Sequence, residues 1–359
     1  MKKNVFICHR PYHILRSCDL IDEMNDAFSE NILVAFNVIA EESHKNQKFE
    51  TNKIFYTTFN EVVEVERERP PSTRSIINYI EYAIKKKKQY KNIVKKHLDT
   101  DNVFFFCDDE LEIEIIVSIF KQYGKPKLRC ILIDEGMVTY ADTTKRLTLL
   151  GKLYAKILYI LMGFKNLNWK RSYGGSRLYN YSLANKPDKA SFKWPIGQLR
   201  PLSESVLSKY RAKIKDVSFI DAKKPYFLYI TTSLVNFEIE KAIIIEIVKI
   251  LEKYRIPFYI KHHPQQNIEP FESYLNKNNF IDKSYPVELY YSNKAIIAGV
   301  GSSSLLNASL QGYYVLDMAP LFGEDNYKFS FTHDWLSILL VNSLSEFENH
   351  IKLFINKTK

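Results

Sequence analysis

A lysine and two histidines, followed by a proline, end an apolar segment near residue 260. Phe258-Tyr259-Ile260 consists of β-forming residues, and Lys261-His262-His263-Pro264 follows it directly. Proline cannot continue a central strand, so the pattern predicts a strand that ends at this polar turn. Ligands of open α/β sheets bind outside the carboxyl ends of the strands, where Lys261 and His263 would lie. A surface His-Pro turn without a chemical role is the alternative that this stretch alone leaves open.

Three consecutive serines follow another predicted strand. Gly299-Val300-Gly301 ends an apolar run, and Ser302, Ser303 and Ser304 stand at the predicted start of a helix. Hydroxyl and backbone N–H groups at a helix N-terminus suit a phosphate, because the helix dipole favours an anion there. The alternative is that Ser302 is only the N-cap of the helix. Three serines exceed what a cap requires, so the sequence favours a phosphate site that is neither a Walker A loop nor a G-x-G-x-x-G motif.

Two adjacent carboxylates follow a predicted strand in the first half of the chain. Asp134, Glu135 and Gly136 come directly after the apolar run Leu128–Ile133. A carboxylate at the carboxyl end of a strand could accept a proton from a hydroxyl group, as a general base does. The alternative is an ordinary Asp-Glu-Gly surface turn.

Other polar residues follow the first predicted strand of each half. His9, Arg10 and Tyr12 come after Val5–Cys8 and lead into a predicted helix. They are candidates for contact with an acceptor or a sugar, and the alternative is packing at the start of the helix. Thr232 follows the strand predicted over Tyr226–Thr231 and is a candidate for donor contact.

These motifs occur in an order that resembles a known group of enzymes. Asp134-Glu135-Gly136, Lys261-His262-His263-Pro264 and Ser302-Ser303-Ser304 are joined by Pro286-Val287-Glu288 between the last two. The set resembles the bacterial sialyltransferases defined by a D/E-D/E-G motif, an HP motif and a serine motif. That group includes the lipooligosaccharide sialyltransferases of glycosyltransferase family 52 and the capsular polysialyltransferases. The resemblance covers these four short segments and the two-domain outline.

The resemblance implies an activity and a role for each residue. Sialic acid would pass from CMP-sialic acid to a hydroxyl group of a cell-surface glycan, with inversion and without a metal or other cofactor. Asp134 would be the general base, and His263 would contact or protonate the departing phosphate of CMP. Ser302 and Ser303 would hold the phosphate, and Glu288 would hydrogen-bond the cytidine. Further candidates are Ser304 and Lys261 for the donor, and Glu135 and Gly136 for the acceptor or sugar.

The sequence predicts no metal site. Asp99-Thr100-Asp101 matches the Asp-x-Asp metal motif of many nucleotide-sugar transferases. It precedes the strand predicted over Val103–Cys107, and so it would lie at the amino end of the sheet, away from the expected site. No other cluster of His, Cys and Asp residues has the spacing of metal ligands.

Two alternations of strands and helices position these residues. They predict an α/β protein of the GT-B-like type, with two Rossmann-like domains and the active site in the cleft between them. Residues 1–190 would form the acceptor domain, which carries the general base. Residues 191–359 would bind the CMP-sugar donor, and their last helix is a candidate for packing back on the first domain. Lys53–Thr58 is a third apolar run after two predicted strands, and Trp169–Asp188 predicts a long loop.

The charge of the chain favours anionic partners. The formal net charge is +10 and the pI is near 9.1, which suits a nucleotide sugar and either an anionic or a neutral glycan acceptor. Nucleic acid is not an expected partner. Lys85-Lys86-Lys87-Lys88 lies in the helix predicted over Ser75–Leu98. It is either a solvated helix face or a patch for a polyanionic acceptor or an anionic membrane.

The expected location is the cytoplasm, with peripheral contact at the inner face of the membrane as an open alternative. Met1-Lys2-Lys3 is followed by too short an apolar run for a secretory signal. The helix predicted over Leu147–Phe164 is the most apolar, but Lys152 and Lys156 interrupt it.

Three rival functions stay open at this stage. The first is transfer of another CMP-activated acidic sugar, such as Kdo or a legionaminic-type sugar. The second is a CDP-glycerol-dependent polymerase of the teichoic acid type. The third is a non-catalytic, basic glycan-binding protein of capsule assembly.

Overall fold

The chain divides into two compact units, each built on one sheet. The computed structural model describes residues 1–38, 53–67, 76–106, 111–134, 157, 160, 179–190, 196–214, 224–231, 235–262, 275–282, 284–323 and 336–358. The units are Met1–Arg200 and Pro201–Lys359, and the sequence placed the domain boundary slightly earlier, at 190/191. Every described strand pair in both sheets is parallel.

In the described residues, the first unit has a seven-stranded sheet in the order β3-β2-β1-β4-β5-β6-β7. Its strands are β1 (Lys3–Cys8), β2 (Glu30–Val38), β3 (Glu61–Arg67), β4 (Asn102–Phe105), β5 (Arg129–Ile133), β6 (Tyr181–Ala184) and β7 (Ile196–Gln198). Its described helices are α1 (Pro11–Met24), α2 (Lys53–Tyr56), α3 (Ile76–Val94) and α4 (Leu111–Tyr123). The central strands read as continuous apolar runs because a parallel sheet is buried on both faces.

Two predictions for this unit are wrong. Lys53–Tyr56 is a helical turn, not a third strand, and its Phe55 side chain is buried. Cys18 Sγ of α1 donates to the Phe55 carbonyl at 3.8 Å. The third strand is instead β3, at the edge of the sheet, where alternating charged residues are tolerated. The predicted loop over residues 169–188 contains β6, whose four residues are too short and too polar to stand out in the sequence.

The part of the second unit that the structure describes has a six-stranded sheet in the order β10-β9-β8-β11-β12-β13. Its strands are β8 (Tyr226–Ile230), β9 (Phe258–Lys261), β10 (Phe280–Ile281), β11 (Ala295–Gly299), β12 (Tyr314–Asp317) and β13 (Ile338–Leu340). Its described helices are α5 (Glu204–Arg211), α6 (Phe237–Lys253), α7 (Ser303–Leu310) and α8 (Leu344–Thr358). This half contains every strand that the sequence predicts for it, together with β13. The two parallel sheets confirm the predicted fold class of two Rossmann-like domains.

The last helix, α8, buries its apolar side chains in the core of the second unit. Phe347, Ile351 and Phe354 belong to that core, and the ring of Phe347 lies edge-on to Phe227 of β8 at 5.4 Å. Packing of this helix on the first unit stays a prediction.

The lysine-rich helix α3 is not uniformly a solvated face. Lys86 is fully buried, and its Nζ lies 5.7 Å from the ring centroid of Tyr82 and 5.7 Å from that of Tyr90. Lys85 and Lys88 are exposed. One lysine of the run, Lys86, therefore packs between two aromatic rings and is not part of a solvated face.

The described helices include none with the length and apolar character needed to cross a membrane. Most of the apolar helix predicted over 147–164 lies outside the described residues, apart from residues 157 and 160.

Candidate active site

The carboxyl ends of four neighbouring strands in the first unit bring polar residues to one edge of the sheet. β1, β4, β5 and β6 are adjacent. The polar residues His9, Asp134 and Asn185 follow β1, β5 and β6, and Phe106 follows β4. This edge is where ligands bind in open α/β folds.

Asp134 is fully buried at this edge. Its backbone N–H donates to the Leu183 carbonyl at 2.9 Å, which continues the β5–β6 ladder by one residue. Its Oδ2 atom accepts two hydrogen bonds from Asn185, one from the backbone N–H at 3.1 Å and one from Nδ2 at 2.9 Å. A buried carboxylate needs such donors, because burial without them carries a large desolvation cost.

Arg16 of α1 extends this network. Its Nη2 donates to Asn185 Oδ1 at 3.2 Å, and its Nη1 donates to Asp19 Oδ2 at 2.8 Å. Burial acts to lower the pKa of Arg16, but the nearby Tyr12, Asp19 and Asp134 outweigh burial and raise it. The guanidinium therefore stays charged beside the carboxylate of Asp134.

The start of α1 packs His9 into an aromatic group. The His9 ring lies edge-on to His13 at 4.3 Å, and His13 stacks on Phe106 at 4.3 Å with the planes inclined by 7°. Burial, reinforced by the charge of Arg10, lowers the pKa of His13 well below 6.5, so this ring is neutral at pH 7. His9 is also buried, which fits the packing alternative for this residue.

Arg10 and Tyr12, the other two candidates at this loop, differ from His9 in exposure. Arg10 is exposed and is the residue before Pro11, the first residue of α1. Tyr12 is half-buried. Both stand beside the carboxyl end of β1, and both stay candidates for acceptor or sugar contact.

In the second unit, Lys261 ends β9 and is buried at the carboxyl edge of the sheet. Its Nζ donates to the Asp282 carbonyl at 2.9 Å, just beyond β10. The next residue, His262, is buried and stacks on Phe280. Four predicted site residues lie outside the described residues, namely Glu135, Gly136, Thr232 and His263.

The serine segment opens α7, as predicted. Ser302 is the N-cap, and its Oγ accepts from the backbone N–H of Ser304 at 3.3 Å. Gly301 has a φ of +54°, which a non-glycine residue seldom adopts. At Gly299 a Cβ would lie 2.7 Å from the Ile230 carbonyl oxygen, so only glycine allows β11 to approach β8 so closely. These glycines shape the turn that presents the start of the helix.

Glu288 lies in a single-turn helix (Val287–Tyr290) and is buried next to α7. Asn307 Nδ2 donates to Glu288 Oε1 at 3.4 Å. Burial raises the pKa of Glu288, and hydrogen bonds from Asn307 and Ser304 together with the charge of Lys261 offset only part of this effect. The side chain of Ser304 therefore faces Glu288, which leaves Ser302 and Ser303 as the serines at the helix start.

The Asp-x-Asp segment lies at the opposite, amino edge of the first sheet. Lys3 Nζ lies 3.0 Å from Asp99 Oδ1, and Lys125 Nζ lies 2.6 Å from Asp101 Oδ1. These lysines already neutralise both carboxylates. Within the described ranges, no group of three or more His, Cys, Asp or Glu residues could hold a metal ion.

Sequence reasoning missed three residues of this arrangement, Arg16, Asn185 and Asn307. Asn185 could be found only by recognising β6, and that strand is hidden in a polar segment. Asn307 and Arg16 lie inside helices, and the sequence gives no sign of which residues those helix faces meet.

Comparison with known families extends over most of the chain. Residues 4–311 match the model of the alpha-2,8-polysialyltransferase family. No sequence among curated proteins matches the chain.

Solved structures resemble the chain in fold. The UDP-GlcNAc 2-epimerase of Methanocaldococcus jannaschii has a TM-score of 0.57 and 13% identity, over 99% of this chain and 93% of the other. The glycotransferase of kitacinnamycin has a TM-score of 0.52 and 10% identity, over 100% and 91%. At such identities the likeness shows the fold alone, and it confirms the GT-B-like architecture.

Proposed function

This chain belongs to the alpha-2,8-polysialyltransferase family, and from that premise we propose that it extends an α2,8-linked sialic acid chain with sialic acid from CMP-sialic acid. It is a glycosyltransferase of the sialyltransferase type, with a nucleotide-sugar donor and a glycan acceptor. The observation that carries the proposal is the family match, which spans Asp134, Lys261, Glu288 and the serines. It favours the capsular polysialyltransferase type over the lipooligosaccharide type.

The first unit would activate the acceptor. Asp134 is proposed as the general base that takes the proton of the attacking hydroxyl group. Its place at the carboxyl edge of β5 and the hydrogen bonds from Asn185 support this role, because a fixed carboxylate reacts from one geometry. Asp134 is completely buried, however, which limits its access to an acceptor hydroxyl group. Glu135, the adjacent carboxylate of the motif, is therefore a second candidate for the base.

The second unit would stabilise the leaving group. As the glycosidic bond breaks, the phosphate of CMP gains negative charge, and fixed donors then stabilise the transition state more than the ground state. The N-terminus of α7, the hydroxyl groups of Ser302 and Ser303, and His263 would supply these donors. Lys261, whose Nζ already donates to the Asp282 carbonyl, would add positive charge near them.

Glu288 is proposed to hydrogen-bond the amino group of cytosine. A carboxylate can accept a hydrogen bond from this amino group. Uracil has a carbonyl oxygen in its place, and a carbonyl oxygen cannot donate a hydrogen bond to the carboxylate. Asn307 and Ser304 hold this carboxylate in place. A fixed acceptor therefore accounts for a preference for cytidine over uridine.

Metal independence is also part of the proposal. Its support is that Lys3 and Lys125 already pair with the carboxylates of the Asp-x-Asp segment. The net charge of +10 suits both a doubly anionic donor and a polyanionic acceptor, and it would also favour contact with an anionic membrane surface.

A donor panel tests the proposal. Purified protein is incubated with an oligosialic acid acceptor and CMP-sialic acid, CMP-Kdo or CDP-glycerol, and nucleotide release is followed by chromatography. We expect rapid CMP release from CMP-sialic acid alone. Release from either of the other donors instead would assign the chain to a rival transferase. No release from any donor would support the binding-protein alternative.

A further inference from the structure

We propose that Asn185 is a positioning residue that holds the carboxylate of Asp134 for proton transfer, and that Arg16 fixes the orientation of the Asn185 amide. The inference rests on the proposed function, since it assigns Asn185 to the acceptor-activating carboxylate. Neither residue belongs to a motif that the sequence brought to attention.

Asn185 restrains Asp134 from two directions. The backbone N–H and the side-chain Nδ2 of Asn185 both donate to Oδ2, at 3.1 and 2.9 Å. The first bond follows from the chain path at the end of β6, whereas the second depends on the side chain alone. Two donors on one oxygen fix the plane of the carboxylate more strictly than one.

The orientation of the Asn185 amide is determined by its neighbours. A carboxylate oxygen only accepts and a guanidinium only donates, so Nδ2 must face Asp134 and Oδ1 must face Arg16. A flipped amide would set two acceptors together and two donors together. The Asn185 carbonyl also accepts from Gln198 Nε2 at 2.8 Å, so β7 holds the backbone as well.

Arg16 can fix the orientation of the Asn185 amide because its own side chain is held in place. It is almost completely buried, and it pairs with Asp19, also buried, one turn along α1. The chain Asp19–Arg16–Asn185–Asp134 therefore runs from helix α1 to the end of β5 through hydrogen bonds that are each at or below 3.2 Å. Such a connected network holds a side chain better than isolated bonds do.

Among the described residues, the charged and titratable groups that interact with Arg16 are Asp134 and, from α1, Tyr12 and Asp19. Asn185 after β6 and Gln198 of β7 are uncharged. Loss of the Asn185 amide would therefore remove one hydrogen bond to the carboxylate and one to the guanidinium, and would leave the net charge of the site unchanged.

The test compares Asn185→Ala and Asn185→Asp with Asn4→Ala as the matched control. Asn4 is also a buried asparagine of this sheet, and it bonds to Asn31 and Asn102 at the opposite edge. We expect Asn185→Ala to lower kcat by roughly 100-fold, because displaced catalytic groups cost about this much, with KM for the donor unchanged. Asn4→Ala is expected to lower thermal stability and leave kcat of the folded enzyme intact.

Asn185→Asp keeps the size of the side chain and a partner for Arg16, so it tests the idea even if the alanine variant fails to fold. It sets a second carboxylate against Asp134, which should lower kcat and move the acidic limb of the pH–rate profile to higher pH. Wild-type kcat and profile in both folded variants would overturn the positioning role only. A loss of activity that matched the loss of folded protein, as expected for Asn4→Ala, would also overturn the positioning role. Absence of transfer by the wild type would instead overturn the proposed function and this inference together.

Discussion

His262 lies flat against Phe280, with ring centroids 5.4 Å apart and planes inclined by 13°. The pair joins the end of β9 to the neighbouring strand β10, and His262 is buried in this position. The stack gives His262 a packing role. The contact with the leaving phosphate is proposed for the adjacent residue, His263.

The two histidines are therefore expected to differ in what their loss changes. His263→Ala should lower kcat by ~10²- to 10⁴-fold, the usual contribution of an acid–base group, with thermal stability unchanged. His262→Ala should reduce the free energy of unfolding by about 1–3 kcal/mol through lost packing, with kcat of the folded protein retained. Initial rates and thermal melts of both variants measure this, and the reverse pattern would exchange the two assignments.

The identity of the general base can be settled with two isosteric variants. Asp134→Asn is expected to lower kcat by ~10²-fold or more, with donor binding intact, because the proton acceptor is lost. Glu135→Gln should have a smaller effect. If the glutamine variant is inactive and the asparagine variant retains turnover, the base is Glu135. Asp101→Asn, at the amino edge of the sheet, serves as the control.

Glu288→Gln is expected to weaken CMP binding about tenfold or more, the value of a hydrogen bond to a charged group. Isothermal titration with CMP and UMP measures this loss. The preference for CMP over UMP should fall at the same time. A variant that bound CMP as tightly as the wild type would contradict the cytosine contact.

The same substitution should change stability in a pH-dependent way. Burial raises the pKa of Glu288, so its stabilising contribution is present below the unfolded value of 4.5 and is lost as the pH rises through the folded pKa. Glutamine does not titrate. The free energy of unfolding of Glu288→Gln minus that of the wild type should therefore increase as the pH rises above 4.5.

Chelation tests the proposed metal independence. EDTA should leave the transfer rate unchanged, and added Mg²⁺ or Mn²⁺ should not raise it. Asp99→Asn should likewise retain activity, since Asp99 pairs with Lys3 at the amino edge. Loss of activity in EDTA that Mn²⁺ restores would contradict this part of the mechanism.

The sequence predicted the parts of the fold that depend on strong local patterns. Apolar runs marked the central strands, and the glycine-serine segment marked the start of α7. β6 escaped notice because Tyr181–Ala184 is short and contains Ser182, whose burial depends on pairing with β5. Lys86 was expected among solvated lysines, yet its burial depends on Tyr82 and Tyr90 one turn away on each side.

The candidate site shows the same division. Motif residues at strand ends could be predicted, because a polar residue after an apolar run is visible in the sequence. The residues that hold them could not, since Asn185 meets Asp134 across a strand pair and Asn307 meets Glu288 from a different helix. Such contacts depend on tertiary packing.

The most direct test of the account is extension of a defined oligosialic acid primer with CMP-sialic acid. A fluorescent primer, separated by anion-exchange chromatography, should give products longer by successive single residues, with one CMP released for each. Digestion by an α2,8-specific sialidase should return the products to short fragments. A primer that stays unextended while CMP-sialic acid stays intact would contradict the account.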